Sequence, residues 1–86
     1  MMKSSVYKAL DKINELEKLA NKYYDKAWEK YEQGNEKSSD HYEQKGDRTV
    51  AVITGMTDTL RILGLGVWRS PEGEWSIPMD DIERVC

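Results

Sequence analysis

The side chains able to do chemistry in this chain are few and scattered. His41 is the one histidine and Cys86 the one cysteine. Asp40 precedes His41, but a zinc site needs three or four converging ligands, and no second histidine or paired cysteine stands at ligand spacing. A thiol nucleophile needs a neighbouring base or cation to hold it as the thiolate. Cys86 has no histidine at a readable spacing, so a spectator thiol is expected. Asp80, Asp81 and Glu83 cluster in a short polar stretch. General acid chemistry would require burial or a tight like-charged pair to raise a carboxyl pKa, and neither is implied there. Asp58 and Arg61 lie three apart, the spacing of a surface ion pair on a helix. Gly64-Leu65-Gly66 lacks a third glycine and a preceding strand, and no Gly-Lys-Ser/Thr occurs, so there is no phosphate loop. These residues predict a non-enzymatic protein with no catalytic, cofactor or metal site.

Charge narrows the partners. Thirteen Lys and Arg face sixteen Asp and Glu, a formal net charge of −3. Residues 1–33 carry seven lysines against six acids, and residues 34–86 carry six basic residues against ten acids. Neither half is basic enough to predict nucleic-acid binding from charge alone. Lys18, Lys22, Lys26 and Lys30 repeat every four residues and could form a ridge for phosphate or an acidic partner. With Glu17, Asp25 and Glu29 among them, a solvated helix face is the expected reading. No apolar run approaches the length of a membrane span. A single cysteine allows no internal disulfide, and a reducing cytoplasm is the simplest setting.

The elements follow from periodicity. Eighty-six residues are expected to form one domain with a modest core. From 4 to 33, Val6, Ala9, Leu10, Ile13, Leu16, Ala20, Tyr23, Tyr24, Ala27 and Tyr31 recur at spacings of three and four, an amphipathic helix that Ser4 or Ser5 can cap. Gly34 suits the left-handed position after a helix, and Asn35 can cap the next one. From 36 to 63, Ser39, Tyr42, Gly46, Thr49, Ile53, Met56, Leu60 and Leu63 alternate three and four apart, a heptad seam. Residues 48–54 are rich in β-branched types and flanked by Gly46 and Gly55, so a strand is the alternative there. Folding the chain back at 34–35 sets Tyr23 against Gly46, Ala27 against Tyr42 and Leu16 against Ile53. Large then faces small near the turn. Gly64 ends the second helix with Leu65 returned onto Leu60. Residues 67–77 read as a β-hairpin with Pro71 and Gly73 in its turn, pairing Ser70 with Glu74 and Arg69 with Trp75. A short helical turn closes the chain. The predicted fold is mainly α: a long antiparallel helical hairpin with a small β-hairpin and tail packed at its open end.

Residues 20–35, ANKYYDKAWEKYEQGN, resemble the second helix of a tetratricopeptide repeat, with Tyr, Ala and Gly-Asn at familiar offsets. The pattern covers one helix and does not return at the family period of about 34 residues. The peptide-binding solenoid of that family is therefore not carried over. In size and composition the chain is similar in style to small accessory proteins of phages and mobile elements, and inhibition of a host or defence protein would fit that resemblance.

The fold alone leaves one feature without a purpose. Tyr24, Trp28 and Tyr31 widen the apolar stripe of the first helix, and Val50 and Val52 flank the second seam on both sides. Trp28 lies about 35 Å from the start of the C-terminal segment at 1.5 Å per residue, beyond the roughly 17 Å reach of a five-residue strand. These five residues are therefore expected to form an interface, most simply in a two-fold homodimer, with Trp68, Arg69 and Trp75 as a surface for an unknown protein partner. Two alternatives remain: a small-molecule sequestering protein with an inter-subunit pocket lined by Tyr, Trp and Arg61 or Arg69, and a weak nucleic-acid binder using the lysine ridge.

Overall fold

Two long helices account for most of the chain. The computed structural model describes residues 2–86. Helix α1 spans Lys3–Glu32 and α2 spans Glu36–Ile62. Strands β1 (Trp68–Arg69) and β2 (Trp75–Ser76) form a small antiparallel sheet, and α3 (Met79–Val85) follows. The molecule measures 52 × 20 × 16 Å, a rod set by the helix lengths.

The glycine turns act as their types require. Gly34 has φ +78°, and the Asn35 amide donates back to the Lys30 carbonyl at 2.9 Å. Gly64, at φ +93°, repeats the arrangement, with Leu65 N–H donating to Leu60 O. Only glycine adopts these angles without strain. The Asn35 side chain accepts from Ser38 N–H and caps α2. The start of α1 differs from expectation. Its cap is Met2 with no side-chain bond, and Ser4 and Ser5 lie inside the first turn. This end is exposed, so water can serve the first amides.

Residues 48–54 are helical. The hydroxyls of Thr49, Thr54 and Thr59 each donate to the carbonyl four residues earlier, at 2.8–3.0 Å. Each of these threonine hydroxyls thus finds a polar partner inside the helix.

Burial defines the seam. Val6, Ile13, Ala20 and Ala27 are buried on α1, and Ser39, Gly46, Ile53 and Leu60 on α2, every seventh residue on each helix. Thr49 and Thr57 are also buried, while Tyr42 and Met56 are half-buried and Leu63 is exposed. One expected pairing shifts: Tyr24, not Tyr23, lies on Gly46. The two tyrosines straddle the line through Ala20 and Ala27, so each leans to a different side.

The core is concentrated away from the turn. Val6, Ile13, Ile53 and Leu60 join Leu65, Val67, Ile77 and Ile82 in one cluster. Each such aliphatic side chain contributes about 1.5–3 kcal/mol on full burial. Toward the turn the seam holds only Ala20, Ala27, Ser39 and Gly46. The rod therefore has a thick tail half and a thin turn half. It also has two broad sides. The front carries the β-hairpin; among the described residues the back carries no other strand or long helix.

Candidate functional site

The β-hairpin stops midway along the front. Asn14 holds it by a two-point grip: its Oδ1 accepts from Trp75 N–H at 2.7 Å and its Nδ2 donates to Trp75 O at 3.1 Å. The amide side chain thus stands where a neighbouring strand would. Glu17, largely buried, accepts from Arg69 at 2.7 Å and from the Trp75 indole N–H at 3.4 Å. The predicted register is present, with Arg69 opposite Trp75 and Ser70 N–H donating to Glu74 O at 2.8 Å. Gly73 takes φ +89° in the turn. Asp81 of α3 accepts from Gly66 N–H, and Arg84 donates to Gly64 O, which closes the tail over the end of α2.

Beyond Glu17 the front is bare. Trp28 lies eleven residues farther along α1, about 16 Å at 1.5 Å per residue. It is 62% exposed and Tyr31 is 56% exposed. Their rings stack with centroids 5.8 Å apart and planes 23° from parallel. Tyr24, Ala27, Trp28 and Tyr31 face Ser39 and Glu43 across a shallow cleft of about 320 Å³. Tyr24 is fixed from two directions. Its ring lies over Gly46, and its hydroxyl donates to Asp47 Oδ1 at 2.6 Å. That bond, with burial and the nearby Asp47 and Glu43 carboxylates, pushes the phenol pKa up to about 12. The hydroxyl is therefore a fixed, protonated donor at neutral pH and a weaker acid than a free phenol.

The five expected interface residues divide between the two sides. Tyr24, Trp28 and Tyr31 share the front cleft. Val50 lies on the front as well, in a groove of about 310 Å³ with Tyr24, Arg69 and Trp75. Val52 opens onto the back, in a cleft with Ala9, Gly55 and Met56. Residues two apart on a helix point about 200° from each other, as the expected flanking of the seam on both sides requires. The expected partner surface divides too. Arg69 and Trp75 turn inward onto Glu17, and Trp68 is left exposed.

The front groove offers a small molecule polar walls, but the guanidinium there is already paired with Glu17 at 2.7 Å. Arg61 is held elsewhere, donating to Val67 O at 3.1 Å and lying 3.4 Å from Asp58. His41 stacks edge-on against Tyr42 on the surface, and Cys86 is a free exposed thiol. Among the described residues, no three His, Cys, Asp or Glu side chains converge where a metal ion could be held. No helix among them is long and apolar enough to cross a membrane.

Sequence reasoning passed over two residues that the geometry singles out. Asn14 and Glu17 hold the β-hairpin through groups on one side of α1. Their three-residue spacing could have flagged them, since polar residues bordering an apolar stripe must answer to something. No protein-family model, curated protein or solved structure matches the chain. The geometry is therefore the basis for a functional reading.

Proposed function

We propose that this is a non-enzymatic interaction protein that self-associates as a two-fold antiparallel dimer through its front and acts by occupying the surface of a partner protein. The observation that carries the reading is the exposed Trp28–Tyr31 pair on the thin half of the rod. A stacked aromatic pair over a small-residue seam is costly to leave in water, and large aromatics commonly anchor interfaces.

A second copy suits the shape. The β-hairpin makes a step on one half of the front and leaves the other half bare. Laid front to front in opposite directions, each step fills the partner's bare half. Charges agree with this arrangement. Along the bare half α2 presents Glu36, Asp40, Glu43 and Asp47. The stepped half presents Arg61 and Arg69, whose side chains stay 48% exposed while paired with Asp58 and Glu17. A two-fold axis would bring these arginines toward the acidic α2 face of the second copy at both ends, where they could exchange partners.

A mixed-chain disulfide experiment tests the arrangement. One chain carries Trp28→Cys, the other Trp68→Cys, and both carry Cys86→Ser. Air oxidation of the mixture should yield the mixed disulfide dimer in preference to either self-linked dimer. Self-linked Trp28→Cys dimers in excess would contradict the antiparallel order.

A further inference from the structure

We propose that the back of the rod is a docking groove for an acidic amphipathic helix of a partner protein. The assignment rests on the reading of the chain as an interaction protein, and it names the surface and the chemistry of what it binds.

The argument begins with the seven-residue frame set by the buried seam. On α1 the positions flanking that seam on the back are 9, 16, 23, 30 and 5, 12, 19, 26. On α2 they are 42, 49, 56, 63 and 38, 45, 52, 59. Four of these residues are lysines (Lys12, Lys26, Lys30 and Lys45) and none is a carboxylate. Just outside them Glu15 pairs with Lys12 at 3.6 Å, which leaves Lys26, Lys30 and Lys45 as the cations of this set without an ion pair among the described residues. In a chain where acids outnumber bases sixteen to thirteen, this side is set apart. The two helices share this side. Lys45 Nζ lies 5.7 Å from the Tyr23 ring centre, and Lys26 Nζ lies 6.0 Å from that of Tyr42, each across the helix pair. The lysine ridge of the sequence does not itself form this surface. A four-residue step advances about 40° around a helix, so Lys18 and Lys22 point outward and only Lys26 and Lys30 arrive on the back.

Beyond the Tyr23–Tyr42 region, toward the tail half, the floor is apolar. Ala9, Val52, Gly55 and Met56 line a cleft of about 360 Å³. Val52 is 52% exposed, and a methyl group on Gly55 would meet nothing within 4 Å. Space over small residues, with apolar neighbours on both helices, is what a third helix packs into. Lysines on both edges select acidic flanks on that helix, which is the helix-in-groove mode of recognition. A nucleic-acid backbone is the poorer match. It would use the four lysines but lay phosphates over Leu16, Leu19, Val52 and Met56, where there is nothing to receive them.

The test uses a fluorescein-labelled synthetic helix of three heptads, with Leu at positions a and d and Glu at e and g. Two relatives serve as controls, one with Lys at e and g and one with Ser at a and d. Fluorescence anisotropy with the full chain should show micromolar binding of the first peptide, at least about tenfold tighter than either control. Val52→Asp and Lys45→Glu should each weaken it by about tenfold or more, with helix content unchanged by circular dichroism. Trp28→Ala should leave it unaltered, which separates failure here from failure of the front-face dimer. The proposal is overturned by equal binding of the Ser control, by no binding at high protein concentration, or by displacement of the peptide by a single-stranded DNA oligonucleotide. It is overturned equally if Val52→Asp dissociates the protein alone, since the back would then be a contact between copies.

Discussion

Tyr24 lies so close over Gly46 that a methyl group built on the glycine would stand 2.8 Å from the tyrosine Cε1. This contact explains a glycine in the middle of a 27-residue helix. Alanine would raise helix propensity there by about 1 kcal/mol, but only by displacing the ring and its bond to Asp47. Gly46→Ala should therefore give no gain in the wild-type background. In a Tyr24→Ala background the same substitution should stabilise by about 1 kcal/mol. Gly46→Leu should destabilise by about 1–3 kcal/mol through overpacking. Urea unfolding of the four chains of the Tyr24/Gly46 alanine cycle measures the coupling directly.

The phenol of Tyr24 gives a pH signature. A tyrosine is neutral when protonated, and here the folded-state pKa is raised from 10.0 to about 12, first by the hydrogen bond to Asp47. Folding thus favours the protonated form. The stabilisation is fully present below pH 10 and is lost as pH rises from about 10 through about 12. Absorbance at 295 nm should show a late-titrating tyrosinate that Tyr24→Phe removes and Asp47→Ala shifts to lower pH. A titration curve unchanged by Asp47→Ala would contradict the cause assigned.

Asn14 should matter more than an exposed polar residue does. Asn14→Leu keeps side-chain bulk but leaves the Trp75 N–H and carbonyl without their partners. An unmet buried group costs about 1–3 kcal/mol. Hydrogen exchange at the Trp75 amide should accelerate strongly, while amides at the centre of α1 change little. Equal acceleration in both places would show that the β-hairpin and helices open together.

Lys18→Gln and Lys22→Gln should each shift stability by less than about 0.5 kcal/mol, since both point away from the helix pair. Thermal unfolding checks this, and a larger loss at either site would reveal a partner for that lysine.

Much of this fold is legible in residue spacing. Gly34 with Asn35 and Gly64 with Leu65 mark both helix ends because only certain residues satisfy those geometries. Pro71 and Gly73 set the β-hairpin register for the same reason. What stayed hidden depends on rotation about the helix axis. An alternation of three and four does not say which of two adjacent tyrosines meets Gly46. That is settled by how the small residues Ala20 and Ala27 let the helices approach. The placement of Val50 and Val52 on opposite sides of the seam is legible from their two-residue step, but which side the β-hairpin occupies is not. The grip of Asn14 on Trp75 joins residues 61 apart in sequence, and no local pattern encodes it.

The central claim is that the bare aromatic half of the front is covered by a second copy. Sedimentation equilibrium across micromolar concentrations tests it most directly. The account predicts a mass that approaches twice the 10.0 kDa of one chain as concentration rises. It also predicts that Trp28→Ala shifts the curve toward monomer, at a cost of about 2 kcal/mol or more in association, with helix content retained. A mass of one chain at every concentration would contradict it, as would a dimer that Trp28→Ala leaves untouched.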